Sequence, residues 1–314
     1  DAFSANGIAA SEWSAFVAAI PFQLYAWLAI FMVPALTTLK FDYGPMAVAE
    51  SANALSPVPA AQADENGRAR PILVWLPLVV LGATLFVTLA NHGFPFEQVA
   101  GSDFRAGLSA AYFLAAVTLV GLVVGFGITP LARTFSQYVE GMTGMMPIAA
   151  TLVLAWTLGA VSEALGTGAY VADVARDGIP GGMLPAVTFI LAAIISFATG
   201  SSWGTIIIMM PLAIPAAIAT DAILPVVIGS VLSGGLFGDN SSPVSETTIL
   251  SSTGAGTSPI EHFRTQMPYA VTNGAIALTG FVVAGVTGAT WVVAALIAVQ
   301  FGVLWAIRRH QQLP

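Results

Sequence analysis

Apolar runs about as long as a membrane crossing alternate with short polar intervals along nearly the whole chain. Uncharged stretches cover Ala15–Leu39, Ile72–Ala90, Ala106–Ala132 and Gly141–Ser162, and Ala186–Thr220 carries no charge from end to end. A helix crosses a bilayer in roughly 20 residues, so each run predicts a span. Thr265–Ile307 is long enough for two helices, with a turn near Gly285-Val286-Thr287-Gly288. Three segments are interrupted. Pro147–Ala172 carries Glu163 and a tip at Gly166-Thr167-Gly168, and Ala186–Thr220 is broken by Thr199-Gly200-Ser201-Ser202-Trp203-Gly204-Thr205. Ala222–Thr253 is broken after Phe237-Gly238 by Asp239-Asn240-Ser241-Ser242-Pro243-Val244-Ser245-Glu246-Thr247-Thr248. As one helix, Ala186–Thr220 would be on the order of 50 Å long, against a hydrocarbon core of about 30 Å. Polar breaks of this kind are tolerated where protein or a water-filled cavity covers the freed backbone.

The intervals read as follows. Asp1–Ser14 is a lead-in, Lys40–Pro71 a long polar loop or hinge, and Asn91–Arg105 a short loop. Arg133–Met146 suits either an interfacial helix or a plain loop. Tyr25 and Trp27 read as interfacial anchors or packing residues. The expected organisation is the end of a first membrane unit over 1–39, a linker over 40–71, and a second unit over 72–314 that holds the break site.

Composition fixes the solvent. Hydrophobic residues make up 57% of the chain and charged residues 8%, where a soluble domain carries about 25% charged residues. The fold class is therefore an all-α integral membrane protein, a polytopic helical bundle with discontinuous helices and membrane lipid as its partner. There is no cysteine, which excludes disulfides and thiolate metal sites. With nine Lys and Arg in all and a net charge of −7, nucleic-acid binding has no support. No phosphate-cradling loop ending in Lys-Ser or Lys-Thr appears, and His92, His262 and His310 show no metal-ligand spacing. The expectation is no enzyme and no cofactor. Oligomeric state is left open, a homo-oligomer included. The first residue is Asp1 and no charged leader precedes the first span, so the chain is expected to be a fragment or a processed product.

Basic residues mark the Lys40–Pro71 loop and the C-terminus at Arg308-Arg309, which places both in the cytoplasm. Seven candidate segments lie between them, an odd number. One should therefore enter and leave on the same side, and Pro147–Ala172 is the segment assigned to that re-entrant role.

The breaks carry the chemistry. A helix ends in free carbonyls worth about half a negative charge, and Asp239 follows such an end. Ser242 is placed as N-cap of the second half, with Pro243 at its first position. A charged acid near the bilayer centre costs roughly 2.5–3.5 kcal/mol, which a bound Na⁺ or a proton offsets. Hard cations prefer oxygen ligands. Asp239, Asn240, Ser241, Ser242, Ser245, Glu246, Thr247 and Thr248 supply only oxygens. Thr199, Ser201, Ser202 and Thr205 supply more. Burial favours the protonated acid and a cation favours the ionised one, so one buried acid can exchange H⁺ for Na⁺. Asp239 is the first candidate, Glu246 the second and Glu163 the third, with Asp239 and Glu246 as the direct Na⁺ ligands. Against these readings stand a loop at the membrane surface for Asp239 and Glu246, a structural Glu163–Arg176 ion pair and a plain packing contact at Thr199–Thr205. Asp173, Asp177 and Asp221 read as interfacial, and Trp203 as a packing or gating residue.

Phe237–Thr248 and Ala198–Thr205 resemble the signature motifs of the NhaC-type Na⁺/H⁺ antiporters. Phe41-Asp42-Tyr43-Gly44-Pro45-Met46-Ala47-Val48-Ala49-Glu50 looks like that family's loop motif after a span. Glu246 stands where family members usually carry aspartate. The resemblance covers nearly the whole chain. It implies a cation-coupled secondary transporter of the bacterial inner membrane, built from inverted repeats, with Na⁺ and H⁺ as its transported ions. It also implies that roughly the first third is missing. The family includes exchangers of malate, lactate and amino acids, so sodium–proton antiport stands first and organic-acid or amino-acid exchange second. Half-helix N-termini at Ser242 and Gly204 would then hold a carboxylate. A non-transporting scaffold or channel subunit is the third reading.

Overall fold

The structure, a computed structural model, describes residues 12–55, 70–94, 99–144, 146, 150, 153–154, 157, 161 and 164–311. No strand occurs among them. Six helices are long and apolar enough to cross a membrane, or seven with a bent pair at the start of the chain. The helices are α1 (Glu12–Ala19), α2 (Leu24–Leu39), α3 (Pro45–Leu55), α4 (Ile72–Ala90), α5 (Gly101–Gly125), α6 (Leu131–Gly144) and α7 (Thr167–Gly178). They continue with α8 (Leu184–Thr199), α9 (Ser202–Ala219), α10 (Leu224–Asn240), α11 (Glu246–Ala255), α12 (Pro259–Thr287) and α13 (Val292–Gln311).

The chain divides into two compact units, one of residues 1–56 and 150–314, the other of residues 57–149. The smaller unit is a hairpin of α4 and α5, followed by α6. At its turn His92 Nδ1 lies 3.4 Å from an Asp103 carboxylate oxygen. Helix α5 begins at Gly101, inside the stretch read as loop. Arg133–Met146 is mostly helix: Leu131, Phe135, Val139 and Met142 recur at helical spacing along one exposed face of α6.

The larger unit is built around α10. Its small residues present a different neighbour on each side. Gly229 lies against Phe22, where an added Cβ would sit 2.5 Å from the carbonyl oxygen. Gly234 and Gly238, one turn apart, lie against Phe189 and Ala193 of α8 so closely that a Cβ on either would strike a backbone carbonyl oxygen. The α8–α10 pair is the most extensive helix contact in the chain. Small residues at such spacing let backbones meet where lipid gives no hydrophobic drive. Two buried hydroxyls tie the pair further: Ser196 donates to the Gly235 carbonyl at 2.6 Å, and Thr188 and Ser230 hydroxyls lie 2.6 Å apart. Phe189 stacks on Phe237 with ring centroids 5.8 Å apart. Those rings join Tyr25, Leu28, Phe281 and Leu296 in the main core, which α2, α8, α10, α12 and α13 share.

Three expectations change. Ala15–Leu39 is not one straight helix: a 3₁₀ turn at Ile20–Phe22 separates α1 from α2, and the two meet at 49°. Pro21 lacks the N–H that a continuous helix would use. The orphaned Tyr25 amide at the start of α2 donates to Ser233 Oγ of α10 at 3.3 Å. Second, Ala186–Thr220 forms two helices, with spans at Gly181–Thr199 and Ser202–Ala219. This changes the count on which the re-entrant placement of Pro147–Ala172 rested. Nearly half of that segment, Glu163 included, lies outside the described residues. Third, part of the Lys40–Pro71 loop is helical, as α3. The turn between α12 and α13 falls where the sequence puts it, with Gly288 capping α12 in the left-handed region.

Candidate ion site at the α10–α11 break

Helix α10 continues two residues beyond the expected break, so Asp239 and Asn240 occupy its last turn and the irregular stretch is Ser241–Ser245. The Ser241 amide donates to the Phe237 carbonyl at 3.0 Å. The N-cap of α11 is Ser245, not Ser242: Ser245 Oγ accepts from the Thr248 amide at 3.2 Å. Ser242 and Pro243 lie before the helix. Ser242 Oγ accepts instead from the Val244 amide at 3.3 Å, a local turn.

Capping places Ser245 beside the acid. Asp239 is 3% exposed. Its Oδ1 accepts from Ser245 Oγ at 2.9 Å and its Oδ2 from Thr247 Oγ1 at 2.8 Å. The two hydroxyl oxygens are themselves 2.8 Å apart. Among the described residues no basic side chain pairs with Asp239. A buried carboxylate held by hydroxyls alone among the described residues is incompletely offset, because a charge taken out of water needs pairing or a metal. Hydroxyls donate and accept, so the same pair can turn lone pairs toward a cation. Thr247→Val removes one donor and keeps the shape. It is expected to weaken cation binding beside Asp239 roughly 10-fold, since one hydrogen bond to a charge contributes about 1.5 kcal/mol or more. A sodium titration of the purified protein reads this directly.

The remaining sequence candidates divide clearly. Asn240 Nδ2 donates to the Tyr25 hydroxyl at 3.3 Å, and its own carbonyl accepts from Gln266 Nε2 at 3.0 Å. Ser241 Oγ is buried without a partner among the described residues. Thr248 is buried, while Glu246 opens α11 with a side chain outside the described set. At the first break Gly200 adopts a left-handed φ of +66° and sits so near the second break that a Cβ would lie 2.6 Å from the Val244 carbonyl oxygen. Ser202 lies against Gly235. The two interruptions therefore meet through backbone. The Thr199, Ser201 and Thr205 hydroxyls of the first break do not converge on Asp239. Thr199 is exposed and donates to the Ile195 carbonyl at 2.9 Å. Ser201 caps α9, accepting from Gly204 N at 3.2 Å, and buried Thr205 donates to the Ser201 carbonyl at 2.9 Å. The packing reading of Thr199–Thr205 fits these contacts. Trp203 is 70% exposed.

Sequence reasoning missed several polar residues. Tyr25 is a buried partner of the site and not an interfacial anchor. Gln266 of α12 closes the last turn of α10. Asn273 and Gln300 pair at 2.7 Å inside the bundle, and Gln300 Nε2 also donates to the Leu28 carbonyl at 2.7 Å. The signal was present, because amides inside a charge-free span need partners.

A model of the Na⁺/H⁺ antiporter family matches residues 2–302. Among curated proteins, an uncharacterized protein of Haemophilus influenzae is 31% identical over 87% of this chain and 55% of its own length. A malate-2H⁺/Na⁺-lactate antiporter of Bacillus subtilis is 28% identical over 66% of this chain and 43% of its own. An uncharacterized Na⁺/H⁺ antiporter of H. influenzae is 42% identical over 23% of this chain and 15% of its own. The chain thus spans about half the length of the first two of these relatives or less. No solved structure matches it.

Proposed function

The chain belongs to the Na⁺/H⁺ antiporter family, and from that premise we propose that it exchanges Na⁺ for H⁺ across a bacterial inner membrane. The observation that carries this reading is Asp239, a buried carboxylate beside a helix break and bound, among the described residues, by two hydroxyls. In the sodium-loaded form the carboxylate, Ser245 Oγ, Thr247 Oγ1 and carbonyls at the end of α10 supply hard oxygen ligands. In the proton-loaded form the acid is neutral and the hydroxyls bond it. Loading one ion expels the other. The Lys40–Pro71 loop and the C-terminus face the cytoplasm in this scheme.

A second reading, sodium-coupled exchange of a small organic acid, draws on the likeness to the malate-2H⁺/Na⁺-lactate antiporter. One experiment separates the two. In everted membrane vesicles holding a proton gradient, Na⁺ alone is expected to collapse the gradient. A strict need for malate or lactate would replace antiport with organic-acid exchange.

A further inference from the structure

Two cavities open side by side in the larger unit. The inner one, ≈ 390 Å³, is lined by Tyr25, Asn240, Thr265, Tyr269, Asn273 and Asp42 among others. The outer one, ≈ 430 Å³, is lined by Lys40, Phe41, Thr37 and Glu50 together with Val33, Leu36 and Asp42. Val33, Leu36 and Asp42 belong to both walls. The inner cavity thus reaches Asn240, the chain neighbour of Asp239, and the outer one reaches an acid on α3.

Asp42 stands at the junction and is held from both sides. Its Oδ1 accepts from the Tyr269 hydroxyl at 2.7 Å, and that hydroxyl in turn accepts from the Tyr43 amide at 3.2 Å. On the outer side the Glu50 side chain hydrogen-bonds to Asp42. That bond, and the Asp42 charge, hold the Glu50 carboxyl above its ordinary range. The other titratable groups facing this junction are Lys40 and Tyr43 from its own turn, Tyr25 from α2, and Tyr269 and His262 from α12. The inner wall also backs onto an unmet polar atom. Gln300 is fully buried and its Oε1 has no partner, while its amide nitrogen bonds Asn273 and reaches Met32, both of that wall. The inner wall is mainly apolar, and Tyr25, Asp42, Asn240, Tyr269 and Asn273 are polar groups in it that water in the cavity can bond.

We infer that the two confluent cavities are the access route from one side of the membrane to Asp239, and that Asp42 is the docking point at which the incoming ion, a proton or a sodium ion, passes from the outer cavity to the inner one. This inference rests on the antiport reading and adds to it a path and two acids that the break motif does not contain. Asp42 here positions the ion and does not bind it in the final site.

The test combines a pH profile with side-specific labelling in native membrane vesicles. Asp42→Asn removes the charge that repels the Glu50 anion, so Glu50 gives up its proton at lower pH. The acid limb of the exchange profile is expected to move to lower pH, and Glu50→Gln, which removes the titrating carboxyl, is expected to flatten that limb. Thr265→Cys, at a position 7% exposed in the inner wall, is expected to react with a water-soluble, membrane-impermeant thiol reagent from one side only, in a background free of other cysteines. Asp239→Asn, combined with Thr265→Cys, should lose exchange yet label at the same rate, which separates the route from the antiport reading. Unlabelled Thr265→Cys in a transporting protein, or an Asp42→Asn profile that overlays the wild type, would overturn the route.

Discussion

Asp239→Asn is expected to abolish sodium-dependent proton exchange while leaving the protein folded. The substitution keeps the shape and exchanges one acceptor oxygen for an amide. Ser245 and Thr247 now both donate to the carboxylate. In the variant one hydroxyl turns to accept from the new amide, which hydroxyls do freely, so no buried group is orphaned. What is lost is the charge that a sodium ion neutralises and the oxygen that a proton occupies. A charge-assisted contact of about 3 kcal/mol corresponds to a loss of roughly 100-fold, and exchange should fall at least that far. Unchanged chromatographic behaviour and thermal stability in detergent establish folding. Exchange surviving in a folded Asp239→Asn protein would remove this acid from the mechanism.

Gly238→Val should do the reverse, removing the protein before any question of transport. The added Cβ would run into the Ala193 carbonyl oxygen, with Ser196 Cβ at 2.6 Å and Phe197 N at 2.7 Å. Overpacking in a core costs about 1–3 kcal/mol when side chains can shift. Here the obstacle is the backbone of α8, so the cost should reach or exceed the upper end of that range. A large drop in detergent melting temperature, with poor expression, is the expected result. Gly302→Ala is the control. Its Cβ would meet nothing within 4 Å, so it should be neutral or slightly stabilising by helix propensity.

The contrast between these two residues marks what the sequence could reveal. Charge scarcity and run length were enough for Ile72–Ala90, for the body of Gly101–Gly125 and for the two helices of Thr265–Ile307, because a bilayer demands long uncharged segments wherever it is crossed. The break at Asp239 was legible for the same reason, as an acid out of place. Its internal geometry was not. Ser242-Pro243 carries every local sign of a helix start, yet Ser245 is the cap. A Ser245 cap lets one hydroxyl serve the Thr248 amide and the Asp239 carboxylate together, a tertiary gain that local propensity does not contain. Thr199 and Thr205 looked like ligands by type, but each spends its hydroxyl on a carbonyl four residues back, as threonine in a helix commonly does. Tyr25 was ambiguous because an aromatic near a span's end serves equally at an interface or in a core. The bend at Pro21, which sets its position, depends on Gly229 and Ser233 far along the chain.

The central claim is that one buried carboxylate holds Na⁺ and H⁺ in turn. It is tested most directly by adding NaCl to the purified protein in weakly buffered detergent solution and following pH with a dye. The claim requires saturable acidification of the wild type, with none from choline chloride and none from Asp239→Asn. Equal acidification of the variant, or none from the wild type over the pH range where exchange runs, would contradict it.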